Sequence, residues 1–216
     1  MINTFQEIFR SKNQSDRLGQ LENRLVERGF DTRESAVVRQ LILETGDAAL
    51  VDHIYFSPGV ITAISKRLDC GCRIYTETLT STLNVDYPIC KKTGATLLCL
   101  TTEAGLRSET RSAEIQKVPE ALHKLRFRFD HSIMTIGSSA AVLRDLLRAI
   151  QSGSCRPAVI IGVPVSLGEE AKIKDQLIDS DIPCITVRGS RGGIDLSVSI
   201  LNAVLAEAAG ENGMLL

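Results

Sequence analysis

An α/β fold, a mainly parallel sheet with helices on both faces, is predicted by three features of this 216-residue chain. From Cys72 onward, short apolar runs of strand type alternate with segments of helical period. Three of those runs end at a glycine (Gly137, Gly162, Gly189) and are followed directly by a helical pattern. No internal repeat, low-complexity linker or break in composition interrupts the series. Successive strand–glycine–helix units require right-handed crossovers and therefore a parallel sheet covered on both sides. Ligands of such sheets bind outside the carboxyl ends of the strands, so the three glycine loops are predicted to line one edge.

Residues 1–70 read as a helical segment ahead of an α/β core over 71–209, together one domain spanning 1–216. Asp16 to Arg28 is charged and amphipathic. Thr32-Arg33-Glu34-Ser35 opens a helix running through Glu44, with Val37, Val38, Leu41 and Ile42 inward, and Gly46 stops it. Phe56-Ser57-Pro58-Gly59-Val60 turns into a helix ending near Leu68, with Ser57 as cap and Pro58 first in the helix. Five strands are predicted at Arg73–Tyr75, Ala95–Leu100, Ser132–Ile136, Ala158–Ile161 and Cys184–Val187. Ser138 or Ser139 caps a helix to about Ile150, with Val142, Leu143, Leu146, Leu147 and Ile150 on its buried face. Glu169 to Ile178 is a further helix, its acidic first turn suited to the helix dipole. The last begins near Gly193 and reaches Ala206, and the tail 210–216 is expected to fray.

Composition excludes several classes of function. A hydrophobic content of 44% suits a substantial core, and a net charge of −1 leaves no broad nucleic-acid footprint. No apolar run is long enough to span a membrane, and Met1-Ile2-Asn3-Thr4-Phe5-Gln6 lacks the form of a secretory signal, so a cytoplasmic protein is expected. Cys70-Gly71-Cys72 has one intervening residue, short of zinc-knuckle spacing, and no second ligand pair follows; no metal site is expected. His53, His123 and His131 are scattered and read as structural.

The stretch Arg188-Gly189-Ser190-Arg191-Gly192-Gly193 lies where the last strand hands over to the last helix. Glycines let the backbone approach a ligand, helix-start amides point outward, and arginines add charge and forked donors. The same six residues also suit a plain glycine-rich connection with two solvated arginines. Neither Gly-x-Gly-x-x-Gly after an early strand nor Gly-Lys-Ser/Thr is present, so nothing marks a nucleotide as the ligand.

Taken in order, several segments resemble the precorrin-8X methylmutase family, the cobalt-precorrin-8 methylmutases of cobalamin biosynthesis. They are Thr45-Gly46-Asp47, Phe56-Ser57-Pro58-Gly59, Ile136-Gly137 with its helix, Pro157 through Val165, and Val187 through Gly193. The resemblance runs from about Phe30 to Val204 and is most specific in the last two segments. It implies a flavodoxin-like three-layer α/β/α fold and a homodimer with the active site at the strand ends. It also implies an isomerase that moves a methyl group between adjacent ring carbons of a corrinoid precursor, with no cofactor. A macrocycle bearing many carboxylates needs an apolar floor rimmed with donors. Gly137, Ser138, Ser139, Pro164, Val165, Arg188, Gly189, Arg191, Gly192 and Gly193 are the substrate-binding candidates, with Lys174, which matches a family lysine. Lys172 and Lys174 could equally be solvated helix residues.

The resemblance also brings departures. Family members carry a histidine one turn before Thr-Gly-Asp, proposed to protonate the macrocycle. Thirteen positions before Phe56, that place is Leu43 here, and leucine has no proton to give. The family's Gly-Asn-Ala-Pro loop appears as Gly137-Ser138-Ser139-Ala140, and its Gly-Gly-Ser ending as Gly192-Gly193-Ile194. Glu77, near the end of a strand and matching a family aspartate, is the best remaining acid, or else a surface carboxylate. Two functions follow: a methylmutase-like isomerase, or a paralogue that binds or carries a corrinoid or other tetrapyrrole without turning it over.

Overall fold

The computed structural model describes residues 12–211. Along the chain it forms α1 (Lys12–Glu27), α2 (Thr32–Thr45), α3 (Leu50–His53), β1 (Ile54–Phe56), α4 (Val60–Asp69) and β2 (Arg73–Thr76). Next come α5 (Leu79–Leu83), α6 (Tyr87–Lys92), β3 (Thr96–Cys99), α7 (Leu100–Glu103), α8 (Arg111–Leu125) and β4 (Ile133–Ile136). The last are α9 (Ala140–Gln151), β5 (Val159–Gly162), α10 (Lys172–Ile178), β6 (Cys184–Val187) and α11 (Ile194–Ala208). The sheet order is β1-β6-β5-β4-β2-β3, and every pairing is parallel except that of β1 with β6.

Side-chain alternation divides the core into two halves. Ile133, Val159, Ile161, Ile185 and Val187 join apolar residues of α2, α4 and α11, among them Val37, Leu41, Ile64 and Leu201. Met134, Ile136, Ile160 and Cys184 join those of α8, α9 and α10, among them Leu122, Leu143, Leu146 and Leu177. Every residue of β4, β5 and β6 is buried, because both pleat faces are covered. Winding reverses between β2 and β4: β3 lies on one side of β2, and β4, β5 and β6 follow on the other.

Four expectations are corrected. The sheet has six strands, not five, because Ile54–Phe56 in the supposedly helical first seventy residues pairs antiparallel with Cys184–Val187. Three residues are too few for periodicity to register, and pairing with β6 creates the strand. Ser57 does not cap the next helix; α4 starts at Val60 after Gly59, whose φ of +72° makes the turn. The Ser57 hydroxyl instead accepts from the Cys184 amide at 2.8 Å, while the Ser57 amide donates to the Cys184 carbonyl at 2.9 Å. The helix expected from Glu169 opens as a 3-10 turn over Gly168–Ala171. Finally, Gly210 and Glu211 are held: their amides bond to Glu207 and Ala206, and the Glu211 carboxylate pairs with Lys92. Asn212 and Gly213 of the expected frayed tail lie outside the described residues.

The helix ends follow the sequence. Asp31 caps α2 in a capping box with Glu34, and Gly46 ends that helix at φ +70°, its amide bonded to the Ile42 carbonyl. Ser57→Ala is expected to leave the Cys184 amide without its acceptor and to cost about 1–3 kcal/mol. The lowered midpoint of urea unfolding, with an unchanged slope, is the check.

Candidate active site

The loops leaving β4, β5 and β6 meet backbone against backbone. The Gly193 amide donates to the Val163 carbonyl at 2.7 Å, and the Val163 amide to Ile136 at 2.8 Å. A Cβ on Gly137 would lie 2.5 Å from the Gly193 carbonyl oxygen, and one on Gly192 would overlap the carbonyls of Val163 and Pro164. Gly193 adopts φ +127° and starts α11 with no side-chain cap, so no capping side chain takes up that helix's first amides. Ser139 caps α9 through its hydroxyl on the Val142 amide at 3.2 Å, and Pro164 is buried in the middle loop.

Two buried ions hold these loops from behind. Glu77, directly after β2, is 1% exposed, so it is not a surface carboxylate. One of its oxygens accepts from the Gly137 and Ser138 amides, each at 2.8 Å, and the other from the Ser138 hydroxyl at 2.5 Å. Burial pushes its carboxyl up to about 7, against the pull of the Ser138 hydroxyl and the two amides. Lys174, also 1% exposed, is not a solvated residue. Its Nζ donates to the carbonyls of Gly189 at 2.9 Å and Arg191 at 2.5 Å, and burial brings it down to about 8. Lys172, by contrast, is exposed and pairs with Glu169.

On the outer side the loop from β6 presents its arginines. Arg188 lies with its guanidinium 5.3 Å from the Tyr55 ring centroid, and no ion pair involves it among the described residues. Arg191 pairs with Asp47 at 2.6 Å, so part of its fork is already taken. Thr45, Asp47, Leu50, Val165, Ser190, Arg191, Gly192 and Leu196 line a cavity of about 360 Å³. Val165 and Leu167 stand 53% and 72% exposed beside it in sequence, an aliphatic surface next to cations. Two larger recesses lie elsewhere; one, at the amino ends of β4, β5 and β6, includes His131, Arg156 and Asp181.

The structure thus brings Gly137, Ser138, Val163–Val165 and Arg188–Gly193 to one edge. It sets Lys174 and Glu77 behind the loops, not on the open surface. Leu43 is 46% exposed on α2 and is absent from the cavity lining. His131 sits at the amino end of β4, away from the site. Asp47 was missed as a site residue, although it belongs to the Thr45-Gly46-Asp47 segment; its signal was an acidic residue just past a helix-ending glycine.

Comparison with known proteins gives a consistent result. A family model described as precorrin-8X methylmutase matches residues 14–207. A precorrin-8X methylmutase of Pseudomonas aeruginosa is 30% identical over 81% of this chain and 84% of its own length. A cobalt-precorrin-8 methylmutase of Priestia megaterium is 24% identical over 81% of this chain and 78% of its own. A solved precorrin-8X methylmutase structure from Thermus thermophilus superposes with a TM-score of 0.72 at 24% identity, covering 91% of this chain and 98% of that one.

Gly192→Ala is expected to force the loops apart and cost about 1–3 kcal/mol, read as a lowered thermal midpoint. Glu77 titrates higher in the folded than in the unfolded chain, so its contribution is fully present below its ordinary carboxylate value. It is lost as pH rises through about 7. Glu77→Gln keeps the shape and the acceptor for both amides. Unfolding free energies measured from pH 4 to pH 8 are expected to fall more steeply in the parent than in this variant, by at most about 3 kcal/mol.

Proposed function

The chain belongs to the precorrin-8X methylmutase family, and from that premise we propose that it is an isomerase of cobalamin biosynthesis, moving a methyl group between adjacent ring carbons of a corrinoid precursor. The observation that carries the reading is the family match over residues 14–207, three of whose motif segments, Thr45–Asp47, the loop after β5 and Arg188–Gly193, meet at the carboxyl edge of the sheet. Its substrate is precorrin-8X or the cobalt-bearing equivalent, and the rearrangement takes no cofactor.

The local chemistry supports this reading. Arg188 has its whole fork available for a peripheral carboxylate, and Arg191 keeps the donors that Asp47 leaves free. The first amides of α11, which no side chain caps, add a second anion subsite, and Val165 and Leu167 offer aliphatic surface to the ring face. With leucine at the family histidine position, the proton has to come from elsewhere. We assign it to Glu77 acting through Ser138: with Glu77 protonated on the oxygen that faces Ser138, their hydrogen bond runs from carboxyl to hydroxyl, and as the partly exposed hydroxyl gives its own proton to the macrocycle it takes the one from the carboxyl. A carboxyl that titrates at about 7 holds its proton near neutral pH, as a general acid must.

The same reading makes the chain a cytoplasmic homodimer. In its support, Leu79, Leu83 and Tyr87 stand at least half exposed beside the carboxyl ends of β2 and β3. Among the described residues no helix is long and apolar enough to cross a membrane. The five parallel strands in the order β3-β2-β4-β5-β6 support a flavodoxin-like architecture, extended by antiparallel β1.

Mixing the protein with precorrin-8X or cobalt-precorrin-8 and following the absorbance of the product chromophore tests the reading. Conversion is expected; none, beside an active relative as control, would overturn it, and binding without conversion would instead favour the corrinoid-carrier alternative. Arg188→Ala is expected to raise KM about tenfold to a hundredfold through loss of a charge-assisted pair. Ser138→Ala is expected to lower kcat about a hundredfold with KM nearly unchanged, the split that marks a proton-transfer role.

A further inference from the structure

We infer that Lys174 is a positioning residue of this site: its buried ammonium turns the Gly189 and Arg191 carbonyls inward, aims both arginines at the ligand, and ties anion binding to its own protonation. The inference rests on the methylmutase reading only for the identity of the ligand.

Geometry carries the first part. Lys174 Nζ reaches the carbonyls of Gly189 and Arg191, so the 189–190 and 191–192 peptide groups turn their oxygens toward the protein interior. Gly189, at φ +77°, permits the reversal that a Cβ would resist. With its carbonyls held below, the loop exposes Arg188 and Arg191 on the opposite side. Asp47 then fixes Arg191 laterally, leaving Arg188 with no ion pair among the described residues. No other buried side chain donates to these carbonyls among the described residues.

Electrostatics carries the second. A buried ammonium facing only carbonyl dipoles is expensive to keep, since no carboxylate pairs with it among the described residues. Lys174, Arg188 and Arg191 place three cations about one loop, against the single carboxylate of Asp47. An anionic ligand on the arginines supplies the missing negative charge. Lys172 and Asp175 on α10, Glu169 and Glu170 before it, and Arg144, Asp145 and Arg148 on α9 leave its titration unmoved; burial alone brings it to about 8. A bound polycarboxylate favours the charged form, so binding takes up protons near that pH and weakens as pH rises through it.

The test compares the parent with Lys174→Met, which keeps an unbranched apolar stem one atom shorter and removes both donor and charge, and Lys174→Gln, which keeps an N–H donor. Each variant is first checked for a cooperative unfolding transition. With precorrin-8X, Lys174→Met is expected to raise KM about tenfold with kcat little changed, and Lys174→Gln to recover part of that loss. The parent's KM is expected to climb as pH passes about 8, and the climb to vanish in both variants. A folded variant with the parent's KM and pH profile overturns the proposal. Amide exchange over residues 188–193, in protein without ligand, is expected to quicken in Lys174→Met; an unchanged rate also overturns it. If the methionine variant fails to fold, the glutamine variant decides by the same measurements. If the parent converts no substrate, the methylmutase reading fails, and the exchange rates still decide the role of Lys174.

Discussion

Three loops packed backbone to backbone, with no space for a Cβ at Gly137 or Gly192, are the constraint on which the site depends. Peptide groups brought that close are largely cut off from water, so each buried N–H and C=O requires a partner within the protein. Some pair with one another, as Gly193 does with Val163. The remainder face two side chains: amides of the β4 loop converge on Glu77, and carbonyls of the β6 loop converge on Lys174. A buried carboxyl thus holds donors and a buried ammonium holds acceptors. The polarity of each exposed loop surface follows from what is fixed beneath it.

Burying an ion lowers stability unless its field is answered, and here most of the answer comes from peptide dipoles. The cost appears as displaced titrations. Glu77 is pushed up to about 7 and Lys174 down to about 8, which brings both into the range where a cell's pH acts. Such displacements cluster where chemistry occurs, but buried structural ions show them as well. Ser138 distinguishes the two groups. Its hydroxyl joins Glu77 to the outer surface, whereas Lys174 meets only the backbone of the loop it supports. The first arrangement can pass a proton, and the second can orient a neighbour.

Much of the fold was legible in the sequence because its signals were local. Apolar runs, three of them ending in glycine, marked the five parallel strands, Thr32–Ser35 and Gly46 bounded α2, and Ser138 or Ser139 marked the start of α9. The β1 strand escaped because it exists only through its pairing with Cys184–Val187. The site divides in the same way. Gly137 and Arg188–Gly193 were readable from composition and order, since glycine and arginine carry their uses in their covalent structure. Lys174 was named only through the family resemblance, and its place was not readable, because nothing in a helix sequence tells a lysine facing solvent from one turned beneath a loop. The Asp47–Arg191 pair joins residues 144 positions apart and needed the fold to bring them together.

Leu43 gives this arrangement its consequence. An exposed histidine titrates near neutral pH unaided, so a family site with one needs little from its surroundings to keep a proton available. A carboxyl with no such help is ionised at neutral pH, and only removal from water raises its titration far enough to serve. Glu77 is that deeply removed, and the same burial keeps it from touching a substrate directly. A buried acid therefore requires a partly exposed intermediary with both a proton to give and a lone pair to receive one. Of the hydrogen-bond partners of Glu77 among the described residues, only Ser138 has both, at a position that the family resemblance matches to an asparagine. Under the proposed relay, leucine at position 43 and the hydroxyl at Ser138 are one change in how the site handles a proton.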